Sequence, residues 1–393
     1  MEELGDELYL QKLINNVILP KKNELNPENE NENNNIEEME DEEKEGEEDE
    51  SDEDNNEQLI TSMIENIYAK IEEKSNNIYI FNYYSNKLDK YMLSSNDNKD
   101  FRFNTNCYSL YEKDKKCIYV SGGLIDINDQ NSHDNSLYKI KIHLNIPNKN
   151  NDKENKNIIN YIIKDDNIKN NKINYEFTIE SLCPLNNNRS YHSMLQLSSN
   201  KNIILCIGGI NTESCEVYNI ELDSWVLIQD LPIMCQNPAI IDHNGIIYTF
   251  PYSNEFNTIY KLNMGNNDFI WETIKYTIDE GKIRKGMAAI SIENKIYLLG
   301  GYDEEETYSN IYNVDLDHED YIDIKSSVNL HLPKKCYFTS NYIIFNNINK
   351  KNEDIIVNGN NLGEHDDQIL LMDNNNTIIE FDWISGNFNY FEG

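Results

Sequence analysis

The chain has 393 residues, of which 70 are acidic and 34 are lysine or arginine, so its formal net charge is −36 at pH 7. A field of this sign repels phosphate groups, and we therefore expect neither a nucleic-acid partner nor a membrane partner. Hydrophobic residues make up 38% of the chain, which is enough for a large buried core.

The N-terminal part of the chain divides into three segments of different composition. Residues 1–20 carry apolar side chains at helical spacing, which predicts a short amphipathic helix. Residues 21–58 are acidic, rich in Asn and nearly without large apolar side chains, so we predict a disordered linker that cannot offset the entropy of ordering. Isoleucines recur from Ile60 to Ile71 at spacings of four, three and four, which predicts a helix over residues 59–75.

The remainder of the chain, residues 76–393, consists of short runs of apolar residues separated by turn residues. This pattern of short apolar runs between turn residues predicts β-strands. A second low-complexity stretch, residues 145–172, interrupts the strands with Asn and Lys. We predict a surface insertion in a loop there, because added loop length costs little closure entropy.

The strand-rich region repeats one pattern. An arginine precedes a run of apolar residues, a Gly-Gly pair follows the run, and a tyrosine comes later, in some units with a tryptophan. The clearest unit contains Arg189, Ile203–Ile207, Gly208-Gly209, Tyr218 and Trp225. A second unit contains Arg284, Lys295–Leu299, Gly300-Gly301 and Tyr312.

Three weaker copies complete the series. The unit between the two clear ones contains residues 245–250, Tyr260 and Trp271, and has Pro251-Tyr252 in place of the glycines. The upstream unit contains Arg102, Cys117–Ser121, Gly122-Gly123 and Tyr138. The downstream unit is degraded, and we assign residues 337–345, residues 354–357 and Gly359 to it.

This order of features resembles the kelch repeat, at about 46 residues per unit, within the range of propeller blades. The resemblance covers residues 76–393 and implies an all-β fold, a kelch β-propeller of four-stranded sheets around an axis. The physical chemistry agrees with that fold. A Gly-Gly pair lets a buried strand end in a tight turn, later aromatics fill the wedge between sheets, and closure of the ring protects sheet edges.

The length of the repeat region predicts six blades, at about 48 residues for each once the insertion is removed. Five units are visible, together with a leading half unit formed by residues 78–81 and 88–93. The half unit resembles residues 378–388, so we assign it to the third and fourth strands of a blade. Kelch propellers commonly share one blade between the chain ends, and we predict that closure here, with five or seven blades as alternatives.

The chain has only three arginines, Arg102, Arg189 and Arg284, and each precedes a glycine pair. In an antiparallel blade, the segment leading into the first strand and the loop after the second strand open on the same face. One interpretation is a ring of guanidiniums that binds an acidic peptide. Equivalent positions in kelch adaptors imply partner contacts at Arg189, Arg284 and Tyr302, and we add Arg102 and Tyr252. The other interpretation is that each arginine bonds carbonyls inside its own repeat.

The seven cysteines form no Cys-x-x-Cys pair, which indicates free buried thiols in a reducing compartment. The first residues show no features of a signal peptide, and the longest apolar run, residues 203–210, is too short to cross a bilayer. We therefore expect a cytoplasmic protein. The histidines lack metal-ligand spacing and no catalytic motif is visible, so we expect no metal, no cofactor and no enzymatic activity.

Three functions remain open from the sequence. The first is a non-catalytic interaction module that docks a protein partner on one propeller face, as a scaffold or a substrate adaptor, with the acidic segment as a competitor for that face. The second is a kelch-type enzyme such as a sugar epimerase or isomerase. The third is a structural subunit of a larger assembly, held by the N-terminal helices. The oligomeric state is left open.

Overall fold

The computed structural model describes residues 67–83, 87–93, 102–144, 175–253, 257–264, 269–279, 281–292, 295–316, 321–341, 343–345, 368–382 and 387–391. These residues form an all-β structure and contain no α-helix. The predicted helix at residues 1–20, the predicted disorder at 21–58 and the predicted insertion at 145–172 lie outside the described residues.

The strands form one three-stranded sheet followed by five four-stranded meanders. The N-terminal sheet contains β1 (Ile67–Ile71), β2 (Asn77–Asn82) and β3 (Lys87–Met92). Meander 1 contains β4 (Tyr108–Glu112), β5 (Cys117–Ser121), β6 (Leu137–Leu144) and β7 (Tyr175–Ser181). Meander 2 contains β8 (Ser193–Gln196), β9 (Ile203–Ile207), β10 (Cys215–Asn219) and β11 (Ser224–Ile228).

The other three meanders follow the same plan. Meander 3 contains β12 (Ala239–His243), β13 (Ile246–Phe250), β14 (Thr258–Asn263) and β15 (Glu272–Ile278). Meander 4 contains β16 (Ala288–Ile292), β17 (Lys295–Leu299), β18 (Asn310–Asp315) and β19 (Tyr321–His331). Meander 5 contains β20 (Ile343–Phe345), β21 (Gln368–Met372), β22 (Ile378–Asp382) and β23 (Asn387–Phe391).

Neighbouring strands within each meander pair in chain order and antiparallel. Meanders 3 and 4 are joined as well, because their outer strands β15 and β19 pair in parallel. Their first strands, β12 and β16, also lie side by side. These eight strands therefore nearly close on themselves.

Hydrophobic cores lie between successive sheets. Leu110 and Tyr119 of meander 1 pack with Met194 and Cys206 of meander 2, and comparable cores join meanders 2 and 3, 3 and 4, and 4 and 5. The N-terminal sheet packs against both meander 5 and meander 1 in one core. Each sheet thus packs against its neighbours through these cores.

The first strands of the meanders lie next to one another in series. Strands β4 and β8, β8 and β12, and β12 and β16 are in contact. Meander 5 returns to meander 1, because Ser109 and Ser340 form a parallel bridge and the Ser109 N–H donates to the Thr339 carbonyl at 3.2 Å. Contacts thus run from each meander to the next and from meander 5 back to meander 1, and we call this series the circuit.

The turns after the first strands share one side of this circuit, which we call the lower face. The Lys201 ammonium pairs with Asp114, Lys115 Nζ donates to Asn202 Oδ1 at 3.2 Å, and the Ser198 N–H donates to Asp242 Oδ2 at 2.8 Å. The segments that lead into the first strands, and the loops after the second strands, lie on the other side, which we call the upper face. The paired ends of β6 and β7, Leu144 and Tyr175, lie on the lower face.

The prediction of a helix over residues 59–75 is wrong for residues 67–71, which form β1 and are followed by a turn. All five residues of β1 are buried, so the strand shows no alternation of apolar and polar side chains. A strand buried on both sides cannot be distinguished from a buried helix by periodicity alone. Residues 59–66 of the predicted helix lie outside the described residues.

The predicted blade shared between the chain ends is not formed. No sheet of the described residues combines N-terminal with C-terminal strands. Two strand assignments account for the difference. Strand β1 adds a third N-terminal strand, and meander 5 takes its second strand from Gln368–Met372. Residues 354–357, which we assigned to that strand, lie outside the described part of the chain.

The direction of the N-terminal strands shows which blade positions they occupy. The turn between β1 and β2 lies on the upper face, because the Lys74 N–H donates to the Phe103 carbonyl at 3.0 Å. In the meanders, a turn on that face follows the second strand. Strands β2 and β3 therefore run in the same directions as the third and fourth strands of a meander, and the described N-terminal sheet has no strand equivalent to a first strand.

Candidate functional site

The Gly-Gly pairs mark close contacts between successive meanders on the upper face. A Cβ on Gly122, Gly208 or Gly300 would lie 2.4, 2.6 and 2.5 Å from the carbonyl oxygen of the segment leading into the next meander. The second glycine of each pair donates its N–H to that same carbonyl, at 2.8 to 2.9 Å. The glycines are needed because a side chain would displace the next unit of the repeat.

Arg189 is completely enclosed and holds its own meander together. Its Nη1 donates to the carbonyls of Gly208 at 2.8 Å and Ser214 at 3.0 Å. Its Nη2 forms an ion pair with Glu216 at 2.5 Å, and both side chains have no solvent exposure. This arrangement corresponds to the second interpretation of the arginines, because Arg189 presents no surface to a partner.

Arg284 has a similar internal role in meander 4. Only 5% of the residue is exposed. Its guanidinium stacks on the ring of Tyr308, with 3.5 Å between the guanidinium carbon and the ring centre, and its Nη1 donates to the Tyr312 hydroxyl at 2.9 Å. The guanidinium therefore contacts two tyrosines of its own meander.

Arg102 is exposed and does not occupy the equivalent position in meander 1. Asn104 does so instead, because its Nδ2 donates to the Gly122 carbonyl at 3.1 Å and to Asp134 Oδ2 at 2.6 Å. Arg102 lies beside a separate cavity of about 210 Å³ that Asp134 also lines. The structure thus does not bring the three arginines together in a ring.

A chain of backbone hydrogen bonds surrounds the centre of the upper face. It links Asn106, Tyr191, Asn237, Gly286 and Phe338, which we call the collar. The N–H of each residue after Asn106 donates to the carbonyl of the one before it, at 3.0, 2.6, 2.8 and 2.9 Å. The first four residues have φ values between 45° and 63°, a left-handed conformation that L side chains rarely adopt.

Glu73 completes the collar where the N-terminal sheet lacks a first strand. The Asn106 N–H donates to Glu73 Oε2 at 2.7 Å. A carboxylate therefore accepts the hydrogen bond that a collar carbonyl accepts in each of the four links between meanders. Sequence reasoning missed Glu73, because it lies in the segment that was predicted to be a helix and precedes the repeat region.

A cavity of about 260 Å³ opens over the collar. Its walls are Asn106, three tyrosines (Tyr191, Tyr302 and Tyr337) and residues 303–307. The rings of Tyr302 and Tyr337 lie 4.8 Å apart, and Asn237 Nδ2 donates to the Tyr302 hydroxyl at 2.9 Å. The predicted site residue Tyr302 is therefore a wall of this cavity, which we call the axial pocket.

Tyr252, the other predicted tyrosine, lies on the same face beside two lysines. The ammonium groups of Lys282 and Lys285 lie 5.2 and 5.1 Å from the centre of its ring. Lys285 also connects to the axial pocket, since its N–H and carbonyl form two hydrogen bonds with the Tyr302 backbone. Tyr252 and Tyr302 thus lie on one continuous surface.

Asp303 is held as a carboxylate at the rim of the axial pocket. Burial on its own raises the pKa of Asp303, but the N–H groups of Glu305 and Glu306 outweigh that effect. The Tyr308 hydroxyl, which donates at 3.0 Å, and the Lys282 ammonium, which lies at 3.4 Å, lower the pKa further, to about 2. The rim therefore keeps this negative charge throughout the physiological pH range.

His192 is a buried residue at the start of meander 2. Its Nε2 lies 2.6 Å from the Ser121 hydroxyl. Burial lowers its pKa well below 6.5, and the nearby Arg189 charge lowers it further. Its imidazole is neutral at pH 7 and serves the packing between meanders 1 and 2.

Within the described ranges, no group of three or more His, Cys, Asp or Glu residues is placed to hold a metal ion. No helix in that part of the chain is long and apolar enough to cross a bilayer. All seven cysteines are free, and all except Cys183 are buried.

Comparison with known proteins adds no relative. No protein-family model matches the chain. No curated protein matches it at a significant level either. The resemblance to kelch repeats thus stays an inference from the sequence pattern and from the geometry of the repeat.

Proposed function

We propose that the five meanders and the N-terminal sheet are six blades of a kelch-type β-propeller, with one blade lacking its innermost strand. Support comes from the series of contacts between meanders, the cores between successive sheets and the contacts at the Gly-Gly pairs. The tryptophans also fit a blade-to-blade role. Trp225 Nε1 donates to the Cys183 carbonyl at 2.9 Å, and Trp271 Nε1 donates to the Gln229 carbonyl at 3.0 Å, each in the segment that precedes its meander.

We further propose that the protein is a non-catalytic interaction module that docks a protein partner on the upper face. The observation that carries this proposal is that the axial pocket and three exposed apolar side chains lie on the same face. Ile125 and Met234, in segments of the upper face, are 70% and 60% exposed, and Ile127 is 53% exposed. Exposed apolar side chains on the same face as a pocket with aromatic walls are typical of protein interaction sites.

Within this proposal the predicted site residues take different roles. Tyr252, Tyr302 and Arg102 are surface residues of the upper face and are proposed contacts for the partner. Arg189 and Arg284 lie beneath that face and support the loops that form it. The proposal thus keeps the predicted face and replaces the ring of guanidiniums by a surface of tyrosines and apolar side chains.

Site-specific photocrosslinking tests the docking face. The full chain carrying p-benzoylphenylalanine in place of Ile125 or of Met234 is irradiated in native lysate, and crosslinked proteins are quantified by mass spectrometry. The matched control has the same substitution at Leu222, which is 58% exposed in the turn after β10 on the lower face. We expect one and the same protein to crosslink from both upper positions and not from Leu222.

Two further results decide the outcome. Tyr302→Ala, added to either upper-face variant, should reduce the crosslink at least tenfold without changing the melting temperature. The proposal fails if the upper positions yield nothing above the Leu222 control, or if all three positions capture the same proteins equally.

A further inference from the structure

We propose that the axial pocket receives a lysine or arginine side chain of the partner, so that the docked segment is basic and not acidic. This inference rests on the proposed docking function and adds the chemistry of the partner. The three arginines alone predicted an acidic peptide as the partner. The structure buries two of those arginines and lines the pocket with carboxylates, so we expect a basic segment instead.

The size and walls of the pocket suit one long side chain. Its volume of about 260 Å³ is below the roughly 300–1,000 Å³ of pockets that hold drug-sized ligands. Tyr302 and Tyr337 form an aromatic corner, and Asn237 fixes the orientation of Tyr302 through its hydroxyl. Tyrosine rings attract ammonium and guanidinium groups that lie over their faces.

The charge of the pocket lining determines whether an acidic or a basic side chain is bound. Four acidic residues, from Asp303 to Glu306, line the pocket, and its lining includes no lysine or arginine. Lys282 pairs with Asp303, and Lys335 pairs with Glu306. Glu304 and Glu305 are exposed, and within the described part of the chain neither forms an ion pair. Two carboxylates thus face solvent at the mouth of an aromatic cavity.

Glu73 adds negative charge beneath the pocket. Its carboxylate interacts electrostatically with Tyr191, Tyr302 and Tyr337, and contributes to raising the pKa of each of them, after the larger effect of burial. All three tyrosines of the pocket wall therefore lie within the electrostatic field of one carboxylate. A cationic side chain of a partner would be attracted by this negative charge, and a carboxylate of a partner would be repelled by it.

The chain itself offers no suitable occupant among its two low-complexity segments. Residues 28–57 have the same sign of charge as the pocket. The lysine-bearing insertion leaves the sheet at Leu144 and returns at Tyr175, at the end of β6 and β7 that lies on the lower face. A basic segment from another protein is the occupant that the pocket fits.

Peptide selection with the full chain tests the inference. A random peptide display library is selected on the wild-type protein and depleted on Tyr302→Ala, and the affinities of selected peptides are measured by fluorescence anisotropy. We expect the selected peptides to share a Lys or Arg whose replacement by Gln lowers affinity at least tenfold. Glu304→Gln/Glu305→Gln should lower affinity similarly, whereas Tyr302→Phe, which keeps the ring, should bind like the wild type.

A charge-matched control separates the pocket from the general field of the protein. Glu47→Gln/Glu48→Gln removes the same charge from the acidic segment and should leave affinity unchanged. Peptides that depend on Tyr302 but require Asp or Glu would overturn this inference and leave the docking function standing. A selection that recovers no peptide dependent on Tyr302 after this depletion would overturn both.

Discussion

Arg189 and Arg102 show how one residue type serves two purposes in the same repeat. The sequence correctly indicates that arginines precede the glycine pairs, but spacing does not reveal which side chain turns inward. Arg189 bonds the carbonyl of the first glycine of its pair, and in meander 1 Asn104 makes that bond while Arg102, two residues earlier, stays exposed. A shift of two residues in an irregular segment is invisible without the structure.

The first prediction compares these two arginines. Arg189→Ala leaves Glu216 buried without its ion-pair partner, so we expect it to lower the free energy of unfolding by about 3–5 kcal/mol. Arg102→Ala, at an exposed position, should change that free energy by no more than about 0.5 kcal/mol. Urea unfolding of the full chain measures both values. Equal losses in the two variants would contradict the internal role of Arg189.

At the scale of elements, the apolar runs that precede glycine pairs were predictable as strands, and two runs outside that pattern were missed. The apolar runs before the glycine pairs coincide with β5, β9 and β17. Strand β1 was missed because its spacing also fits a helix, and β21 was missed because its run carries no Gly-Gly pair. In β21 the corresponding turn begins with Asp373, whose Oδ1 accepts the N–H groups of Asn375 and Thr377 at 2.8 Å.

The second prediction concerns the glycine pairs. Gly123 has φ near 105°, and a Cβ there would lie 2.5 Å from the Asn104 Cβ and 2.8 Å from the Thr105 carbonyl oxygen. Gly123→Ala should therefore cost about 3 kcal/mol or more in the free energy of unfolding, from backbone strain and the clash together. Gly245→Ala is the matched control, because its φ is also positive but no atom lies within 4 Å.

The control should cost only the strain of the left-handed backbone, about 1–2 kcal/mol. Chemical denaturation of both variants gives the comparison. If Gly123→Ala were no more destabilising than Gly245→Ala, the second glycine of the pair would serve only the turn, and its close contact with the segment that leads into β4 would not require a glycine.

For the whole molecule, closure depends on contacts that the repeat does not contain. Four meanders follow one another through contacts repeated from unit to unit, and the repeat in the sequence predicted that series. The return from meander 5 to meander 1 uses Ser109, Ser340 and Asn341, and the N-terminal sheet fills the space outside it. Contacts that occur only once in the molecule leave no repeated pattern in the sequence. For this reason the prediction of a blade shared between the chain ends was wrong.

The third prediction tests that closure through Tyr68. Its hydroxyl donates to the Asn341 carbonyl at 2.6 Å and lies 3.2 Å from the Ser340 hydroxyl, so one side chain of β1 ties the N-terminal sheet to meander 5. Tyr68→Phe leaves a buried carbonyl without this donor, and we expect a loss of about 1–2 kcal/mol. Since β1 also packs beside β4, hydrogen exchange should accelerate in Tyr108–Glu112 and in Gln368–Met372.

Tyr79→Phe serves as the control for local effects. The Tyr79 hydroxyl donates to Glu72 Oε1 at 3.2 Å, inside the N-terminal sheet, so its removal should change exchange in β1–β3 alone. Mass spectrometry of the exchanged peptides distinguishes the two patterns. If Tyr68→Phe also affected only β1–β3, the N-terminal sheet would be an appendage of a ring already closed by meanders 1 to 5, and the proposal of a sixth blade would fail.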